Sequence, residues 1–286
     1  MMGVLPVDKP AGPTSHDVVA AARRALGIRR IGHTGTLDPF ATGLLDLCIG
    51  PATRLAEYLM GMDKSYQATA RLGVATDTLD GEGTVVAESD AVAALDPAQV
   101  RAAFEDQQGR RMQTPPAYSA KKVGGKKAYE LARAGRAVEL EPVEVTIHEL
   151  AVLAVDGPTV GFRIRCSSGT YVRAVARDAG EALGVGAHLT ALRRTAVGRF
   201  RVADAVEMDR LDEHDAVAAA LLSPLQAVAH LPTVLVDADQ VRRIRHGQAL
   251  AVDGLPEGLV AVADDAGLVA IAEAGGGRVR PRKVLR

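Results

Sequence analysis

The sequence predicts an α+β fold: a mixed, mainly antiparallel sheet flanked by helices, followed by a small β-rich module. Three observations carry this. Strand-like and helix-like stretches interleave along the 286 residues without the repeating βα period of a parallel sheet. Asp156-Gly157 joins two apolar runs, 143–155 and 159–166, a strong hairpin signal. After Leu231-Pro232, short apolar runs recur between Gly, Pro and Asp, as in a compact unit of short strands. Residues 1–230 are therefore expected to form one body and 231–286 a second.

Each element has its own signal. Residues 3–7 read as a buried strand that runs into D-K-P-A-G-P-T-S. Ser15 is expected to cap a helix over 17–26, with Val18, Val19 and Ala22 on its apolar face. Residues 31–43, I-G-H-T-G-T-L-D-P-F-A-T-G, are too rich in glycine, with Pro39 among them, for a helix interior or a central strand. They form an ordered loop that presents one carboxylate, Asp38, and one imidazole, His33, with Leu37 and Phe40 as apolar anchors. Such a loop can hold a nucleophile. An Asp-Pro pair is equally an ordinary turn opening, and from the loop alone both readings stand.

Residues 44–49 form an apolar strand, and Pro51 suits the first turn of a helix reaching Met60. Tyr66, Ala68, Ala70 and Leu72 alternate through a half-buried strand over 65–72. A turn over 77–83, a strand over 83–87 and a helix over 97–106 follow. Residues 114–125 are irregular, basic and Pro/Gly-rich, lead into a helix over 127–134 stopped by Gly135, and are expected to project from the body. Beyond the hairpin, Ser168-Gly169-Thr170 opens a helix over 171–183. A strand over 189–200 carries Arg193, and an Ala/Leu-rich helical stretch ends near Ala229. Strands at 234–236, 259–263 and 268–272 make up the module.

Composition narrows the function. Hydrophobic residues make up 48% of the chain, as in a globular protein, and no apolar run approaches the ~20 residues of a membrane span. The first ten residues lack the pattern of a signal peptide. Cys48 and Cys166 sit in apolar surroundings and are expected to be buried, reduced thiols of a cytoplasmic protein. A net charge of −1 argues against indiscriminate coating of nucleic acid. Yet basic residues cluster at Arg23, Arg24, Arg29 and Arg30, at Lys121, Lys122, Lys126 and Lys127, at Arg193, Arg194, Arg199 and Arg201, and in the terminal R-V-R-P-R-K-V-L-R. Any one cluster is also a plain solvated face; together they suggest a positive face for a polyanion. The glycine loop lacks the G-K-[ST] of a phosphate loop and the G-x-G-x-x-G of a dinucleotide fold. C-S-S-G at Cys166 lacks the G-x-S-x-G frame, and neither H-E-x-x-H nor a zinc spacing occurs. No metal and no cofactor is expected.

G-H-T-G-T-L-D-P-F-A-T-G, preceded by D-K-P-A-G-P-T-S-H-D, resembles the signature of TruB-type tRNA pseudouridine synthases. The likeness continues in K-S-Y at 64–66, R-L-G-V-A-T-D-T-L-D-G at 71–81 and P-P-A-Y-S-A-K-K-V-G-G-K-K-A-Y at 115–129. It ends in C-S-S-G-T-Y-V-R at 166–173 and G-A-H-L-T-A-L-R-R at 186–194. One departure is Ala191, where some members carry a tyrosine. The resemblance implies a pseudouridine synthase fold and isomerisation of uridine 55 in the T loop of tRNA. Asp38 is then the catalytic aspartate, Arg193 its partner, and Tyr66 the platform for the target base. His33 fills the space left by flipped T-loop bases, and Asp80 lies near the uracil. Lys9 and Tyr171, in matched segments, are further candidate substrate contacts. Residues 114–135, with Lys121, Lys122, Lys126 and Lys127, match an RNA-gripping insertion, and 231–286 resemble a PUA-like RNA-binding module. The partner is the T-arm of tRNA, bound by a monomer with no obligate protein partner and no membrane. The reaction fits such residues: moving a uracil from N1 to C5 needs an ionised carboxylate near sugar and base, and neither metal nor redox cofactor. A non-catalytic tRNA-binding chaperone is the alternative, and the Asp38–Arg193 pair argues against it.

Overall fold

The computed structural model describes residues 1–119, 121–123, 126–128, 131, 140–252 and 254–285, with only the backbone of 122–123 and 126–127. The chain divides into two compact units. The first contains residues 1–39, 43–61 and 199–286, the second residues 40–42 and 62–198.

In the first unit, β1 (Gly3–Lys9) leads into helix α1 (Ser15–Leu26), then β2 (Ile31–His33) and β3 (Thr42–Ile49). Both β1 and β2 pair antiparallel with β3, and Val206–Glu207 adds to β1 in parallel. Leu5, Val7, Leu45, Leu47 and Ile49 bury their side chains against Val18, Val19 and Ala22 of α1. Thr14 caps α1, not the predicted Ser15: its hydroxyl accepts from the Asp17 amide while the Asp17 carboxylate takes the Thr14 amide. Pro51 starts a 3-10 turn, Gly50–Leu55, before the short helix α2 (Ala56–Met60). The predicted helix ending near Ala229 is broken into two 3-10 turns, a short strand and two helices, His214–Ala220 and Pro224–Ala227. Pro224 has no amide to continue a helix, so Ser223 caps a new one.

The C-terminal part of this unit is a five-stranded sheet in the order Thr233–Leu235, Gly258–Asp264, Gly267–Gly275, Arg278–Val284, Leu250–Ala251. A helix, Ala238–Arg245, covers it with Val241 and Ile244, too few apolar positions to have been legible in the sequence. Val234, Val260, Val262, Val269 and Val279 complete its core. The last strand is tied to α2 and the turn before it. Arg54 donates to the Val284 carbonyl at 2.6 Å, and Lys283 pairs with Glu57.

The second unit is built from β4 (Lys64–Leu72), β5 (Val74–Thr76), β6 (Val85–Glu88), helix α3 (Pro97–Glu105), β7 (Gly109–Gln113), β8 (Lys122–Val123), β9 (Lys126–Lys127), β10 (Val143–Asp156), β11 (Thr159–Cys166), helix α4 (Val172–Ala182) and β12 (Ala187–Val197). Its main sheet runs β12-β4-β11-β10-β7, every neighbour antiparallel. Alternation in β4 is complete: Lys64, Tyr66, Ala68, Ala70 and Leu72 are buried while Gln67 and Arg71 are exposed. Gly157 turns the β10–β11 hairpin at φ +51°. Helix α3 packs on β10 and α4 on β12. Strand β7 falls where the sequence suggested no element. Lys126–Lys127 is strand rather than helix start, and most of the predicted helix over 127–134 lies outside the described residues. Among the described residues no helix is long and apolar enough to cross a membrane.

Candidate active site

The loop that carries Asp38 is fastened from both sides. Lys9 is fully buried at the end of β1, and its ammonium donates to the carbonyls of Pro10 (2.8 Å) and Pro39 (3.1 Å). The Gly12 amide donates to the same Pro39 carbonyl at 2.9 Å. Ser15 is buried; its Oγ accepts from the Leu37 amide at 2.8 Å and donates to the Leu37 carbonyl at 3.1 Å. The residues before and after Asp38 are therefore both held by segment 9–15, and Asp38 itself is half-buried. Leu37 is buried as expected, whereas Phe40 is half-buried. A buried ammonium needs acceptors to offset its lost hydration, and the carbonyls of Pro10 and Pro39 supply them. His33, at the end of β2, accepts from the Gly35 amide at Nδ1 (3.3 Å), and its ring stands edge-on to His16 at 5.5 Å.

The other candidates lie in the second unit. Tyr66 is buried on β4, and the residue paired with it across the ladder is Arg194, 2% exposed. Paired residues share a face of the sheet. Arg193 pairs with Gln67 on the opposite face, and its Nη1 reaches Thr42 Oγ1 at 3.5 Å. Asp80 is 4% exposed. Its Oδ1 accepts from Thr78 Oγ1 (2.6 Å) and the Glu82 amide (3.1 Å), and its Oδ2 from Arg173 Nη1 (3.2 Å). Arg173 also donates to the carbonyls of Thr78 (2.6 Å) and Tyr118 (3.0 Å). Hydrogen bonds surround both partners of this buried ion pair and offset the hydration each has lost. Arg173 was not singled out from the sequence. The available signal was a charge between Val172 and Ala176, inside the apolar arc of α4.

Tyr171 is the N-cap residue of α4; Gln113 accepts from its amide at 2.9 Å and donates to its carbonyl at 3.2 Å. Lys121 donates to the Glu141 carbonyl at 2.9 Å. The side chains of Lys122, Lys126 and Lys127 lie outside the described residues, as does Arg286 of the basic tail. Cys48 and Cys166 are free and buried, and burial pushes their thiols up to about 12 and about 11. Among the described residues no group of His, Cys, Asp and Glu is arranged to hold a metal ion.

Comparison with known proteins bears on this arrangement. Residues 23–172 match the family described as TruB family pseudouridylate synthase (N terminal domain). Residues 173–229 match the tRNA pseudouridylate synthase B C-terminal domain, and 232–285 match Pseudouridine synthase II TruB, C-terminal. The chain is 46% identical to tRNA pseudouridine synthase B of Burkholderia pseudomallei, over 99% of this chain and 96% of that protein. It is 42% identical to the protein of the same name from Cupriavidus metallidurans, over 99% and 94%. Among solved structures it is similar to a chain of the archaeal box H/ACA sRNP Nop10-Cbf5 complex, with a TM-score of 0.76 and 27% identity, covering 100% of this chain and 86% of that one. A chain of a Cbf5-Nop10-Gar1 complex gives 0.77 and 28%, covering 100% and 85%.

Proposed function

This chain belongs to the TruB family of pseudouridylate synthases, and from that premise we propose that it isomerises uridine 55 in the T loop of tRNA, with Asp38 as the nucleophile. The enzyme is an isomerase of tRNA uridine. In the reaction the N1–C1′ bond breaks, the uracil turns, C5 bonds to C1′, C5 loses a proton and N1 gains one. Atoms and electrons balance without oxidant or reductant. An ionised carboxylate serves each available route: attack at C1′, attack at C6, or passage through a glycal.

One observation carries the assignment to Asp38: the backbone on both of its sides is fastened, Leu37 by Ser15 and Pro39 by Lys9 and Gly12. A carboxylate serving only as a turn opener needs no such fastening, whereas a nucleophile must be held in reacting geometry. The target base must leave its stack, at a few kcal/mol, and stacking on Tyr66 returns about 1–3 kcal/mol. His33 takes the space the T-loop bases vacate, and Asp80 and Tyr171 complete the substrate side; Lys9, expected from the sequence to touch the substrate, is fully buried and braces the loop instead. Lys121, Lys122, Lys126 and Lys127 grip the phosphates. The enzyme acts as a cytoplasmic monomer on the T-arm, with residues 1–230 carrying the chemistry and 231–286 adding affinity.

An arginine that stabilises the charged aspartate keeps it ionised despite partial burial. The resemblance assigns this to Arg193; Arg173, paired with Asp80, and Arg194, on the face of Tyr66, are tested beside it. Lysine substitutions at the three positions, compared at saturating RNA, identify the one whose loss collapses turnover. The function itself is tested with an unmodified T-arm stem-loop followed by chemical mapping of pseudouridine. Asp38→Asn should bind that RNA within a few-fold of the parent and form no product. Product from Asp38→Asn would remove the nucleophile assignment.

A further inference from the structure

Leu79 has φ +63°, and among the described residues it is the one non-glycine residue with positive φ. L-residues avoid this region because Cβ crowds the following carbonyl. Gly enters it freely, Asn at little cost, and a β-branched residue hardly at all. No glycine stands here, so the surrounding structure imposes the conformation. The Leu79 amide donates to the Thr76 carbonyl at 3.2 Å, its carbonyl accepts from the Leu189 amide of β12 at 3.0 Å, and Asp80 bridges Leu189 in parallel.

The turn at Leu79 has a geometric consequence on either side. The Thr78 carbonyl and the Asp80 carboxylate, flanking it, converge on one nitrogen, Nη1 of Arg173, at 2.6 and 3.2 Å. The Asp80 side is locked further by Thr78 Oγ1 on its carboxylate and by Thr76 Oγ1 on its carbonyl, at 2.6 and 2.7 Å. We propose that the left-handed backbone of Leu79, rather than its side chain, is a positioning device that aims Thr78 and Asp80 at Arg173 for the isomerisation. This rests on the function above, in that Arg173 and Asp80 serve the reaction. Imposed backbone strain beside a buried ion pair is the kind of feature that pre-organises a site, because relaxation would cost the ion pair its geometry.

The test compares Leu79→Asn, Leu79→Gly and Leu79→Val. Single-turnover rate at saturating T-arm stem-loop, stem-loop Kd and thermal midpoint are measured for each, with Arg173→Lys alongside. The expected result is that Asn and Gly, which tolerate positive φ, keep the parental rate within about threefold despite losing the apolar side chain. Val, which keeps an apolar side chain but resists the conformation, should lose roughly tenfold or more in rate with Kd unchanged. The reverse pattern, with Val active and Asn and Gly impaired, makes Leu79 a packing residue and overturns the inference. If Val does not fold, the Asn and Gly rates decide alone: retention supports the inference and loss of either overturns it. A slow Arg173→Lys beside a fully active Leu79→Val sinks the inference while sparing the function. A fully active Arg173→Lys removes the premise and the inference together.

Discussion

Replacing Ser15 by alanine probes the brace on Asp38 directly. The substitution removes one buried hydroxyl and leaves two backbone groups of Leu37, its amide and its carbonyl, without the partner they have at 2.8 and 3.1 Å. An unpaired buried polar group costs about 1–3 kcal/mol, so a loop that stayed rigid would lose about 2–6 kcal/mol. Small shifts of the half-buried residues that follow Leu37 can re-pair one of the two groups, which favours the lower end, about 2–3 kcal/mol. For a chain of 286 residues each kcal/mol shifts Tm by about 1.5–2 °C. If the loop instead lets go locally, the loss appears as misplacement of Asp38, and about 2–3 kcal/mol in the barrier slows the reaction roughly 30- to 160-fold. The assay is thermal denaturation together with single-turnover kinetics on the T-arm stem-loop. Ser15→Ala should show one of these losses or a division between them. A variant with parental Tm and parental rate would refute the claim that Ser15 holds the loop.

Thr14→Ala is the contrasting case, since it removes the cap of α1 and leaves the brace intact. It should lower the midpoint modestly and leave the rate at saturating RNA unchanged. The Thr14 hydroxyl and amide hold the Asp17 carboxyl below its usual range. Their stabilising effect is present above the unfolded carboxylate pKa of about 4 and lost as pH falls, so Thr14→Ala should flatten the acid limb of the stability profile, measured by urea denaturation. Cys48 and Cys166 should resist iodoacetamide at neutral pH in the folded protein and react on unfolding, because burial holds them at about 12 and about 11. The unfolded chain loses its thiol protons first, so this contribution to stability is constant below about pH 8 and declines as pH rises further. Cys48→Ala should reduce that decline. Tenfold dilution of salt should tighten tRNA binding steeply, and replacing Lys121, Lys122, Lys126 and Lys127 with alanine should lower the log–log slope by about one unit for each phosphate no longer neutralised. A parental slope in that variant would place the RNA elsewhere.

Much of the fold was legible because its signals are short-range. The alternation of β4, the apolar face of α1 and the Asp156-Gly157 turn each lie within about ten residues, where strand and helix periods act. The ordered series of motifs points to the family for the same reason, since each motif is a local string. The helix Ala238–Arg245 escaped because two apolar residues, Val241 and Ile244, suffice to seat it once a sheet lies beneath.

The site divides along the same line. The sequence by itself determined that one acid, Asp38, sits in a constrained loop, and that a hydroxyl pair, Thr14 and Ser15, stands at the start of α1. Which hydroxyl caps the helix and which braces the loop was decided by Leu37, 22 residues away. That Arg194 rather than Arg193 shares the face of Tyr66 was decided by the strand register, which irregularities at Leu189/Ala191 and Arg194/Ala196 set. That Arg173 is a buried hub rather than a surface charge was decided by acceptors at Thr78, Asp80 and Tyr118, 55 to 95 residues away. The left-handed turn of Leu79 was decided by its bond to Leu189. Local periodicity encodes which residues are hidden, but the partner that satisfies a hidden polar group is supplied by another part of the chain, and only folding brings the two together.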